Sequence, residues 1–154
     1  MRLLQDLRRK PLHLTLLLVL LAAGGLYLYA MQLERRHDAA ARDYLQRTLA
    51  EVANWQPQSL RRHLAPAAQQ AVTDEQLDAL VERYRELGGY RRIDDLQFAR
   101  LTAALSLLGG NTLLGYSGTV RFEQGSAHLS AVLLVDAQGY HLYNFNLSSP
   151  QQDE

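Results

Sequence analysis

"FEQGSAHLSAVLLVDAQGYHLYNFNLSS" runs from Phe122 to Ser149, and its alternation decides the architecture of the second half of the chain. Side chains in a strand point alternately to opposite faces. Ala127, Leu129, Ala131, Leu133 and Val135 therefore share one face of a strand, which is read as core. In the last strand Tyr143, Phe145 and Leu147 alternate with Asn144 and Asn146. "EQGS" and "DAQG" are the turns. Upstream, Leu114, Tyr116, Gly118, Val120 and Phe122 line one face of another strand. Leu96 to Leu108 reads as a fourth strand of awkward register. Phe98 and Leu101 would fall on opposite faces, so a bulge is expected there.

Before the strands the apolar period is helical. Ala41, Tyr44, Leu45, Thr48, Leu49 and Val52 recur at i, i+3, i+4 and predict one helix. Pro57 suits the first position of a short second helix around Gln58 to His63, which ends before Pro66. A third helix starts at a Thr73 cap, with Gln76 completing a capping box. Leu77, Leu80, Val81, Tyr84 and Leu87 make its stripe, and Gly88 or Gly89 ends it. The expected fold class is α+β, with three helices packed on a curled antiparallel sheet of about four strands.

The amino-terminal stretch sets location. Leu12 to Met31 holds no acidic residue, lysine or arginine, and its length spans roughly 30 Å as a helix. That is the thickness of a bilayer's hydrocarbon core. A secretory signal has a shorter apolar run and a small-x-small cleavage site, and "AAGGLYLYA" offers a poor one. An uncleaved anchor is the expectation. Arg2, Arg8, Arg9 and Lys10 place residues 1–11 in the cytoplasm, although Arg35, Arg36 and Arg42 weaken the asymmetry. The expected order is a cytoplasmic tail (1–11), a transmembrane helix (12–31), an extracytoplasmic domain (33–149) and a disordered tail (150–154). The localisation that follows is a bacterial inner membrane, crossed once, with the domain in the periplasm.

Composition removes several classes of function. Sixteen basic residues balance sixteen acidic ones, which disfavours a nucleic-acid partner. Cysteine is absent, and with it go disulfides and thiolate chemistry. The five histidines show no ligand spacing, so neither a metal nor another cofactor is expected.

Three pieces carry a resemblance. "VANWQPQSLRRHLAP" is similar to the junction between the first two helices of the nuclear-transport-factor-2-like superfamily, a cone-shaped α+β fold. "RYRELGGYRRI" is similar to the end of its third helix, and the terminal hairpin to its last strands. The resemblance covers Leu33 to Ser149 and implies a fold more than an activity, since members include isomerases, binding proteins and assembly subunits. Isomerase members imply a carboxylate base and a Tyr or protonated acid in the cone. Tyr44 and Tyr116 could serve as oxyanion donors, and His141, read as sharing a face with Tyr143, as a base. No inward Asp or Glu is expected; Asp94 and Asp95 are read as preceding the sheet. Tyr44, Tyr116, His141 and Tyr143 are the pocket candidates. The expected function is a non-catalytic protein-interaction or assembly module of the cell envelope, binding a protein partner or a second copy through the sheet face. The alternative is a small-molecule-binding or isomerase-like enzyme.

Overall fold

The computed structural model describes residues 3–148, so the expected tail at 150–154 lies outside the described residues. The fold is α+β. Helix α1 (Leu3–Val52) leads to α2 (Pro57–His63), α3 (Pro66–Ala71) and α4 (Asp74–Arg85). Strand β1 (Tyr90–Ala99), helix α5 (Arg100–Gly109) and strands β2 (Thr112–Phe122), β3 (Gly125–Asp136) and β4 (Gly139–Ser148) follow. The sheet is an antiparallel meander in the order β1-β2-β3-β4, and it does not close.

The membrane-length segment and the first domain helix are a single element. Neither Gly nor Pro occurs between Gly25 and Pro57, so nothing interrupts the i→i−4 ladder. Its two parts live in different surroundings. Leu14, Leu16, Leu17, Leu18, Val19, Leu20 and Leu21 are each more than half exposed, whereas Ala41, Leu45, Leu49 and Val52 are buried. Among the described residues one helix is long and apolar enough to cross a membrane, and this is it.

Helices number five among the described residues, more than the sequence reading allowed. Pro66 does not merely stop α2; it occupies the first turn of α3, where its missing N–H costs nothing. The larger correction concerns Leu96 to Leu108. Strand β1 stops at Ala99, and "RLTAALSLLG" is helical, with Gly110 left-handed just beyond it (φ 72°). Leu101 therefore never had to obey strand alternation. Leucine and alanine favour helix, and short apolar runs do not separate the two periods. A bulge exists, but upstream: the register slips between Asp94 and Gln97, with Asp95 at φ 51°. Asp94 and Asp95 thus lie within β1. Gly118 faces this bulge, where a Cβ would sit 3.0 Å from the Leu96 Cα and 3.1 Å from the Asp94 carbonyl oxygen. Only glycine fits.

Other expectations hold. Thr73 and Gln76 form the capping box of α4, and Leu77, Val81 and Tyr84 are its buried stripe. Gly88 takes the left-handed conformation at its end (φ 75°). Just past α1, Trp55 packs against Tyr84 and Phe122, and its Nε1 donates to the Gly88 carbonyl at 2.8 Å. That knot closes one end of the core. Leu114, Val120, Leu129, Leu133 and Leu142 form the sheet side, facing Leu45, Leu49, Leu60, Leu77 and Val81. The β4 edge is partly covered, because the Ala65 N–H between α2 and α3 donates to the Leu142 carbonyl at 2.7 Å.

Candidate functional site

The apolar stripe of α1 is bordered by polar side chains at helical spacing, and these meet the polar groups of the sheet and α2. Tyr116, on the core face of β2, is buried. Its hydroxyl donates to Asp38 Oδ1 at 3.4 Å, while Arg42 Nε donates to Asp38 Oδ2 at 2.8 Å. Arg42 also reaches the Leu96 carbonyl at 2.7 Å, and its guanidinium lies 5.9 Å from the Tyr116 ring centre. Phe98 packs edge-on against the same ring. Burial, and then the Asp38 charge, push the Tyr116 phenol far above its usual range. It is neutral at any physiological pH, and its proton is already directed at Asp38.

Tyr44 belongs to a second cluster on the same helix. Its hydroxyl lies 3.5 Å from His63 Nδ1, as does the Thr48 hydroxyl, and His63 Nε2 lies 2.8 Å from Glu51 Oε2. Burial, aided by the Glu51 charge and opposed by the Thr48 hydrogen bond, raises the Tyr44 phenol. Hydroxyl, imidazole and carboxylate in sequence are the components of a nucleophile relay. Here, however, Thr48 is buried, and 3.5 Å is the outer limit of a hydrogen bond. The cluster fastens α2 to α1. Tyr140 adjoins the second cluster: its ring lies 5.7 Å from that of Tyr44, and its hydroxyl is 2.9 Å from His37 Nδ1.

The four residues named from sequence do not converge. A register shift opposite Val132 and Leu133 leaves Tyr143 as the extra residue of a bulge in β4. Phe145 and Leu147 keep the expected face, but beyond the bulge the inward residues are Leu142 and Tyr140. Tyr143 is 48 % exposed, and His141 turns to the outer face with it. His141 Nε2 sits 3.4 Å from Asp136 Oδ1, which accepts the Gln138 N–H of the turn at 2.7 Å. His141 belongs to the sheet's end, not to a pocket.

Sequence reasoning missed Asp38, the inward carboxylate it had judged absent. The signal was there: Asp38 stands three residues before Ala41 and seven before Leu45, on the border of the stripe. His37, Arg42, His63 and Tyr140 were missed with it. A cleft of about 320 Å³ opens elsewhere, beside Arg83, Tyr84, Asn146 and Leu147. There the Tyr84 hydroxyl donates to Asn146 Oδ1 at 3.2 Å and accepts the Leu147 N–H at 3.0 Å, which clamps α4 to β4. No cluster of three or more metal-ligating side chains occurs among the described residues.

The raised phenols make a pH prediction. An unfolded tyrosine releases its proton near 10.0, while Tyr44 and Tyr116 in the folded chain hold theirs to higher pH. Between those values the folded state binds more protons, so stability falls as pH rises. Below the unfolded value this contribution is fully present. Melting temperature should therefore be insensitive to these groups near neutrality and decline above about pH 10. Tyr116→Phe should flatten the decline, and a decline unchanged in that variant would refute the assignment.

Comparisons with known protein families, with characterised proteins and with solved structures find no match to this chain.

Proposed function

We propose that the chain is a single-pass anchored envelope module: residues 1–11 cytoplasmic, residues 12–31 in a bacterial inner membrane, and the domain in the periplasm. The carrying observation is the continuity of α1 from an exposed apolar half into a buried amphipathic half. A helix without an interruption fixes the domain's height and tilt above the bilayer, which suits an assembly subunit better than a freely diffusing enzyme. The domain is read as a nuclear-transport-factor-2-like cone. Helices before a meander support that reading, as does the Trp-bearing turn at the α1–α2 junction. Docking is assigned to the outer face of the sheet, where Tyr143 stands exposed beside half-buried Val132. The occupant is a protein partner or a second copy.

One observation favours the second reading, an isomerase-like or ligand-binding cone. The Asp38–Tyr116 contact pairs a carboxylate with a buried phenol, the two groups such chemistry uses. Against it, both Asp38 oxygens already accept bonds, one of them from Arg42. The discriminating experiment is complementation of a deletion strain by the double variant Asp38→Asn with Tyr116→Phe, at matched protein levels. Catalysis through these groups should fall about a hundredfold or more, since acid-base and oxyanion contributions are each that large. The module reading expects full complementation. Failure by a folded, normally abundant variant would replace it with the enzyme reading.

A further inference from the structure

Helix α5 is built with its apolar side outward. Leu101 is 72 % exposed, Leu105 54 % and Leu107 47 %. Leu101 and Leu105 lie one turn apart on one side, opposite the buried Ala103. Apart from Arg100 the helix carries no charge. In water such a face is a cost with no return, and the fold does nothing to cover it.

Its position on α1 says what does. Helix α5 packs against α1, and its Arg100 pairs with Glu34, just past the end of the apolar stretch. Arg100 donates through Nε to Glu34 Oε2 at 3.1 Å, and its guanidinium stands 5.7 Å from the Tyr27 ring centre. Tyr27 is four residues inside Met31, roughly 6 Å below the end of the span. The start of α5 is thus level with the last turns of the apolar segment. On its other side α5 is seated on the sheet: a Cβ on Gly115 would lie 2.7 Å from Thr102 Oγ1. The helix is wedged between α1 and β2 and cannot turn its leucines inward.

From this geometry we infer that α5 is an interfacial membrane helix. Leu101 and Leu105 enter the acyl region of the leaflet that α1 leaves, and Arg100 extends to the headgroups as long cations do at that depth. The occupant of the exposed face is the lipid bilayer, because α5 packs on α1 and starts level with the last turns of its exposed apolar surface. The domain is then held at two places, by α1 through the membrane and by α5 on its surface. The inference rests on the proposed anchoring, and its test separates the two.

The chain has no cysteine, so single cysteines can be introduced into the full-length protein without other changes. Leu105→Cys, Leu101→Cys, Leu18→Cys and Gln124→Cys would each be labelled with a polarity-sensitive fluorophore. Each is exposed, and Gln124 lies in the far hairpin, beside the Trp55 knot. Labelled proteins are reconstituted in vesicles of zwitterionic and anionic phospholipid, with nitroxides high on the acyl chain or near its middle. Quenching at positions 101 and 105 by the shallow nitroxide should be at least about twofold, with position 124 unquenched and position 18 quenched by the deep nitroxide. Quenching at 18 without quenching at 101 and 105 overturns the interfacial helix and leaves the anchor intact. Blue-shifted emission at 105 that lipid nitroxides do not affect means a protein covers the face, and also overturns it. No quenching at 18 removes the anchor and this inference together.

Discussion

Leu133→Ala is expected to destabilise the protein by about 2–5 kcal/mol, the range for truncating a fully buried leucine. Leu133 is 0 % exposed and sits mid-sheet, paired with Leu114 of β2 and Leu142 of β4, which are equally buried. Ser130→Ala is the internal control. Ser130 points to the outer face between Ser117 and Asn146 and is exposed, so its loss should stay within about 0.5 kcal/mol. Denaturant melts in detergent, followed by the fluorescence of the lone tryptophan, give both numbers. Trp55 is buried and hydrogen-bonded at the far end of the core, so its emission reports unfolding of the whole domain. Equal losses from the two variants would mean that the core face is wrongly assigned.

Ala40→Pro should cost about 3 kcal/mol or more, although the Ala40 side chain is exposed. Proline there deletes the hydrogen bond to the Arg36 carbonyl and drives its ring into that same carbonyl. The break falls between the apolar half of α1 and the buried half, at the level where Asp38 and Arg42 meet Tyr116. Ala40→Gly keeps the N–H and should cost only about 1 kcal/mol. Under the proposed anchoring, the proline variant should also loosen the domain's posture on the membrane, seen as reduced quenching of a label at position 105. A proline variant as stable as the glycine one would show that α1 does not act as one strut.

Most of the helices were legible because their signals are local. Thr73 and Gln76 announce α4 by chemistry confined to one turn, and the stripe from Ala41 to Val52 announces the buried half of α1. The continuity of α1 is equally a local matter, since it follows from the lack of any breaker between Gly25 and Pro57. The α+β class and the meander come from period-two alternation in β2 and β3. Two places defeated that kind of reading, each for a physical reason. Arg100–Gly109 has an apolar run that fits either period; as a helix it packs against α1 and β2, and the α1 segment it meets lies some seventy positions away. The β4 bulge at Tyr143 exchanges inward and outward residues along the strand, and nothing in "GYHLYNFNLS" marks the place.

The site divides along the same line. Sequence by itself determined that a membrane-length helix precedes an α+β domain, that the chain has no thiol chemistry, and which faces of β2 and β3 form the core. Tertiary structure alone decided that Asp38 meets Tyr116, that His63 is held by Glu51, and that His141 and Tyr143 look away from both. It also decided that α5 starts level with the end of the apolar span and leaves Leu101 and Leu105 exposed. Periodicity assigns a residue to a face, but a contact needs two faces brought to a common height. That height was set by the seating of α1 on the sheet, through packing between residues far apart in the chain.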